Sequence, residues 1–219
     1  MMQARALAAA ILAGGRAERL GGVNKGTLPL GGTEIIDRQL RALREVASDV
    51  FVVGPEGDAW TRRGLRVVPD EIGGMGALGG IYTAIVRSPS DRTLVLACDM
   101  PFVPTAFLRR LAAEEAADAV IPRTVRGYEP LCAIYSRACA ADLRARIDRG
   151  DLHAAIAPAG VRVTEIGPEI IALYDRNGVI FTNVNTPHDY ERARNLLDVN
   201  FSSDHGLTED RITTDRSRT

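Results

Sequence analysis

The chain has 219 residues, 46% of them hydrophobic, and its 27 basic and 28 acidic side chains leave a formal charge of −1. That length suits one domain with a sizeable core, alone or with a tail; the apolar content excludes a disordered chain, and the charge balance excludes the basic excess of a nucleic-acid binder. No apolar run reaches the length of a membrane span, and the start lacks a signal peptide's basic region and cleavage site, so no membrane association is expected. The three cysteines, Cys98, Cys132 and Cys139, form no C-x-x-C pair. An odd count without metal-ligand spacing argues against zinc and for reduced, buried thiols, hence a cytoplasmic protein. His153, His188 and His205 show no spacing that suggests a metal site or a triad.

Apolar runs of strand length alternate with segments of helical spacing, which predicts an α/β fold with a mostly parallel sheet. The first strand is expected at about Leu7 to Leu12. It leads into Ala13-Gly14-Gly15 and on through Arg16, Arg19, Gly21 and Gly22 to Lys25. Glycine backbones approach a polyphosphate closely and aim N–H groups at its oxygens, while arginine and lysine add positive charge. The stretch therefore reads as a triphosphate loop, although it lacks the Gly-Lys-Ser/Thr of the P-loop and the G-x-G-x-x-G of dinucleotide folds.

Leu28 to Leu30 predicts a short extended piece and Gly31-Gly32 a turn. A helix opening at Thr33 or Glu34 carries Ile36, Leu40, Leu43 and Val46 at helical spacing, with Asp49 ending it. Val50 to Val53 and Val67-Val68 are the next strands, the latter stopped by Pro69-Asp70. Five glycines within Gly73 to Gly80 precede a helix through Ile81, Ala84 and Ile85. They suit a second backbone surface against the nucleotide, including Gly76 and Gly80, with a helix N-terminus facing negative charge; a close-packed helix start also explains them. Leu94 to Cys98 is a wholly apolar strand ending in Asp99, with Pro101 two residues on. Ligands of open α/β sheets gather at carboxyl ends of strands. A carboxylate there suits Mg²⁺, which takes one or two carboxylates plus phosphate oxygens; a turn or cap aspartate is the plainer alternative.

A helix through Phe107, Leu108 and Leu111, a strand at Ala119 to Pro122, a strand at Pro130 to Tyr135 and a helix ending at Gly150 follow. Val161 to Thr164 alternates as a strand, and Phe181 to Pro187 closes the sheet side. Thr186, Pro187 and Asp189 read as N-cap, first helical residue and first-turn acid of a final helix. Asn183 and Asn185 share a face if extended, either to meet a ligand or to bond the loop's own backbone. From about Asn200 the chain turns polar, so residues 1–199 are expected as the domain and 200–219 as a disordered tail.

Several of these segments carry a resemblance. Leu12-Ala13-Gly14-Gly15, Arg19-Leu20-Gly21-Gly22 and Lys25, then Cys98-Asp99-Met100-Pro101, Glu129 to Ala133, and Phe181-x-Asn183-x-Asn185-Thr186-Pro187 resemble the molybdenum cofactor guanylyltransferases, from about Leu7 to Leu197. The resemblance implies a Rossmann-like three-layer nucleotidyltransferase fold, with helices on both faces of the sheet. It implies an Mg²⁺-dependent enzyme that transfers GMP from GTP to molybdenum-bearing molybdopterin, releases pyrophosphate, and works beside molybdopterin-delivering enzymes and molybdoenzyme chaperones. Under it, Lys25, Arg19 and Asp99 carry catalysis, Asp99 holding the metal. GTP meets Leu12, Ala13, Gly14, Gly15, Gly22, Lys25, Asp70, Gly76, Gly80 and Asp99, with Asp70 on the guanine edge, while Asn183 and Asn185 meet the acceptor. Glu129 to Ala133 lines the acceptor side in the family, and a polar turn before a buried strand accounts for it equally. Three positions depart from the family pattern: Asn24 where aspartate is usual, Gly54 where a guanine-binding asparagine falls, and Asp151-Leu152-His153 where an arginine follows Gly150. The alternatives are a relative using CTP or another phosphorylated acceptor, and a non-catalytic nucleotide-binding adaptor.

Overall fold

The computed structural model describes residues 6–14, 25–175 and 177–204, with side chains to 197. Gly15, Arg19, Gly22 and Asn24 lie outside the described residues, as does 205–219 of the expected tail.

Strand β1 (Leu7–Leu12) is buried along its whole length. Its side chains alternate between two cores, as a strand's two-residue period requires. Leu7, Ala9 and Ile11 enter one core and Ala8, Ala10 and Leu12 the other. Being apolar on both faces marks a central strand covered by helices on each side. On the first face lie α1 (Ile35–Arg44) and α4 (Thr105–Ala112), contributing Ile36, Leu40, Leu43, Phe107, Leu108 and Leu111. On the second lie α3 (Gly76–Arg87) and α5 (Ala140–Asp148), contributing Leu78, Ile81, Ile85, Leu143 and Ile147. This is the three-layer α/β arrangement.

The remaining elements, in chain order, are β2 (Pro29–Leu30), β3 (Thr33–Glu34), β4 (Asp49–Val53), α2 (Asp58–Thr61), β5 (Arg66–Val68), β6 (Arg92–Ala97), β7 (Ala119–Thr124), β8 (Gly127–Tyr128), β9 (Cys132–Ser136), β10 (Val163–Ile166), α6 (Pro168–Ala172) and α7 (Pro187–Asp204). The main sheet runs β10-β7-β9-β6-β1-β4-β5, with β8 paired to β7. β1 is parallel to β4 and β6, and β4 to β5, so these four strands end on the same edge. β9 runs antiparallel between β6 and β7.

Five local expectations are corrected. Thr33–Glu34 is a strand, because Gly31 and Gly32, at φ +61° and +80°, fold a hairpin that pairs Leu30 with Thr33 before the helix begins. Asp49 opens β4 instead of ending α1, which stops at Arg44. Phe181 to Asn185 forms no strand; it runs as irregular backbone into α7. The second glycine cluster is not all turn, since α3 begins inside it at Gly76. The first residues of the expected tail continue α7 through Asp204. All three cysteines are free thiols, and no described helix is long and apolar enough to cross a membrane.

Candidate active site

β1, β4, β5 and β6 deliver four loops to one edge of the sheet. Leu12 pairs with Val53 on one side and with Ala97 on the other, so the loop after β1 and the turn after β6 start side by side. The Cys98 N–H donates to Leu12 O at 3.1 Å, extending that pairing one residue beyond β6. Asp99 follows immediately, partly buried where the sheet ends.

Lys25 reaches this point from the other end of the glycine loop. It opens a single 3-10 turn, Lys25–Thr27. Its Nζ lies 3.8 Å from Asp99 Oδ2, each side chain 15% exposed, and donates to Asn185 Oδ1 at 2.5 Å. Three expected residues thus meet although Lys25 and Asn185 stand 160 positions apart. Burial pushes the Asp99 carboxyl above its ordinary value; Lys25 and a backbone hydrogen bond oppose the shift, and the Asp189 charge adds to it. A desolvated carboxylate of this kind is stabilised in its charged form by a nearby cation.

Asn185 is placed by a cap. The Asn185 and Thr186 N–H groups donate to Asp189 Oδ2 at 3.1 and 2.9 Å, and the Asp189 N–H returns to Thr186 Oγ1 at 3.1 Å. This reciprocal arrangement fixes the start of α7. Partial burial raises Asp189, but the bonds from Thr186 and from the backbone outweigh it and hold the carboxyl below its ordinary value. The Val184 N–H donates to Asp99 O at 2.9 Å, tying the asparagine segment to the Asp99 turn. Asn183 is exposed on the same segment.

On the other flank, Leu12 and Ala13 bring the chain out of β1, the Ala13 N–H donating to Val53 O at 2.8 Å, and Gly14 is exposed. Gly54, at φ +150°, packs against that exit. A Cβ there would lie 3.0 Å from Ala13 C and 3.2 Å from Gly14 N, so residue 54 must be glycine for the loop to leave where it does. Asp70 Oδ2 would lie 3.6 Å from a Cβ on Gly14, so this carboxylate faces the loop, and desolvation raises its pKa. Of the second cluster, Gly76 is exposed at the start of α3 with open space around it. Gly80 is buried, and a Cβ there would meet Leu12 Cδ1 at 3.2 Å, so it serves helix–strand packing.

The acceptor-side segment lies beyond Asp99. Leu131 O accepts the Ala97 N–H at 2.9 Å, which sets Glu129 to Leu131 beside β6 on the side away from β1. Burial raises the Glu129 carboxyl, with Arg126 and a bond from Thr124 pulling it back. Sequence reasoning found the helix start at Thr186 to Asp189, but not the pairing of Lys25 with Asn185 or the nearness of the Asp189 charge to Asp99.

A mostly parallel sheet covered by helices on both faces, with its loops gathered at one edge, is the architecture of an α/β nucleotidyltransferase. The model of the MobA-like NTP transferase domain matches residues 9–163, and the chain belongs to that family. It is 36% identical over 185 residues to a probable molybdenum cofactor guanylyltransferase of Pelotomaculum thermopropionicum, covering 84% of this chain and 90% of that one. It is 30% identical over 185 residues to the molybdenum cofactor guanylyltransferase of Desulfosudis oleivorans, covering 84% and 92%. Among solved structures it is similar to molybdopterin-guanine dinucleotide biosynthesis protein A of Archaeoglobus fulgidus, with a TM-score of 0.72, 27% identity, and coverage of 88% of this chain and 99% of that one.

Proposed function

We propose that this protein transfers GMP from GTP to the phosphate of molybdenum-bearing molybdopterin. The observation that supports the reading is the meeting of Lys25, Asp99 and Asn185 where β1 and β6 end side by side. In the reaction an acceptor phosphate oxygen forms a bond to the α-phosphorus of GTP. The bond from that phosphorus to its bridging oxygen breaks, and pyrophosphate leaves with the electron pair. Such chemistry needs positioning and charge neutralisation and no protein nucleophile.

The donor set fits a nucleotide-bridged cation. Among the described residues no cluster of three or more His, Cys, Asp or Glu could cage a metal, and Mg²⁺ bound with a nucleotide takes one or two carboxylates and completes its shell with phosphate oxygens and water. Asp99 would supply the carboxylate, and the bound Mg²⁺ would neutralise charge on the phosphates. Lys25 stands 3.8 Å from Asp99 and is placed to turn its charge toward the triphosphate. Arg19, Gly15 and Gly22 belong to the same assignment on the resemblance, as do Leu12, Ala13, Gly14 and Gly76 as backbone around GTP; Gly80, buried against Leu12, drops out of it. Asp70 is assigned the paired N–H donors of guanine, which suit a carboxylate. Because Gly54 has no side chain, base choice rests on Asp70 and backbone groups. Asn183 and Asn185 are assigned to the acceptor, molybdopterin-delivering enzymes and molybdoenzyme chaperones to its supply and use, and the cytoplasm to the location.

Pyrophosphate release with molybdopterin, Mg²⁺ and either GTP or CTP tests the reading. GTP should be turned over and CTP should not, and Asp99→Ala should abolish release while unfolding as cooperatively as the parent protein. Preferred use of CTP would overturn the base assignment, and full activity of Asp99→Ala the metal assignment.

A further inference from the structure

Gln39 belongs to none of the sequence motifs, yet it stands directly behind Asp99. It lies on α1, between Ile36, Leu40 and Leu43 of the apolar face, and is 3% exposed. Its Nε2 donates twice, to Ala97 O at 2.8 Å and to Met100 O at 3.0 Å. Those carbonyls bracket Cys98 and Asp99. Among the described residues, the bond that closes the turn on itself is a long one, from the Met100 N–H to Ala97 O at 3.3 Å, while the Val184 N–H holds Asp99 O from outside. The other amide atom, Oε1, is buried with no partner among the described residues. A leucine here would leave those carbonyl acceptors without the Gln39 donor and the turn without its tie to α1.

The preceding residue does a related job on the donor side. Arg38 Nη2 donates to Leu30 O at 3.2 Å, and the Ile35 N–H donates to Leu28 O at 3.1 Å. Leu28 and Leu30 follow the Lys25–Thr27 turn directly. One rigid helix thus bonds the segment that carries Lys25 and the turn that carries Asp99.

We propose that Gln39 is a positioning residue for metal binding: by clamping Ala97 O and Met100 O it fixes the direction of the Asp99 carboxylate toward the nucleotide-bound cation. This rests on the assignment of Asp99 as the metal ligand. Groups of this kind, one step behind a ligand, change metal affinity by about 10- to 100-fold when removed.

The test compares the parent protein with Gln39→Leu, which keeps the volume and removes both donors, and Gln39→Glu, which keeps one donor when protonated. Mn²⁺ is titrated by water-proton relaxation with a non-hydrolysable GTP analogue bound, and amide exchange is followed in the ligand-free protein. Gln39→Leu should weaken Mn²⁺ about 10- to 100-fold, speed exchange at Cys98 to Met100 but not along β1, and lower kcat at limiting metal with KM for GTP unchanged. Excess Mn²⁺ should restore part of the rate, and Gln39→Glu should fall between the two. Unchanged Mn²⁺ affinity and unchanged exchange at the turn would overturn the proposal, as would faster exchange spread evenly over the sheet. If Gln39→Leu does not fold, Gln39→Glu decides by the same readouts. A parent protein that takes no Mn²⁺ would overturn the Asp99 assignment instead, while exchange at the turn still decides the role of Gln39.

Discussion

Lys25 and Asp99 neutralise one another in the ligand-free site, and the cost of keeping Asp99 ionised shows in its raised pKa. A carboxyl whose folded pKa lies above its unfolded value favours the fold while protonated, and that contribution is lost as pH rises through the folded pKa. Asp99→Asn should therefore be more stable than the parent protein at neutral pH. The gap should close as pH falls toward about 4, where an ordinary aspartate takes up its proton. Urea unfolding at several pH values measures this; a variant less stable at neutral pH would contradict it. Lys25→Ala removes the charge proposed to neutralise the triphosphate, and turnover should fall by about 10²-fold, the scale of losing one preorganised donor. Near-normal kcat in pyrophosphate release would remove Lys25 from the chemistry.

At the scale of elements, the site depends on how α1 is held. Arg63, next to α2, donates through Nε and Nη2 to Asp37 at 2.6 and 2.8 Å, through Nη2 to Glu34 at 2.9 Å, and through Nη1 to Ala59 O at 2.7 Å. The hydrogen bonds from Arg63 hold the Asp37 carboxyl below its ordinary value against a small opposing effect of burial. A depressed aspartate stabilises the fold at neutral pH and loses that contribution as pH falls through its folded pKa. Arg63→Ala should cost about 1 kcal/mol at neutral pH, since Asp37 is open enough for solvent to screen the pair. The difference should shrink in acid and in high salt, which chemical denaturation checks; a pH-independent loss would mean packing dominates.

Legibility in the sequence also divides by element. β1, and β6 from Leu94 on, were readable because a strand buried on both faces runs apolar, whereas buried Arg92 and Thr93 hid the start of β6. Thr33–Glu34 misled because Ile36, Leu40 and Leu43 do announce a helix, and only the positive φ of Gly31 and Gly32 delays it by a hairpin. α2 and β8 are too short, at four and two residues, to show a period. Asp99 could be placed from its strand alone. The Lys25–Asn185 bond could not, since nothing local to either residue encodes a partner 160 positions away. Gln39 was invisible for a similar reason: on a helix of apolar spacing a glutamine reads as surface until the turn above it is seen.

Over the whole molecule, the sheet order sets the exit of β1 beside the Asp99 turn, and the segment before α7 meets both Lys25 and Asp99 there. Residues after β4 and β5 flank the exit of β1, while Glu129 to Leu131 lie beside β6 on its far side. The central claim is that the glycine loop, Lys25 and Asp99 act on one metal–nucleotide complex. A crystal structure of the protein with Mn²⁺ and a non-hydrolysable GTP analogue tests it most directly. The account predicts an anomalous peak bonded to an Asp99 carboxylate oxygen and to phosphate oxygens, with Lys25 turned onto the same phosphates; Mn²⁺ and nucleotide bound away from Asp99 would contradict it.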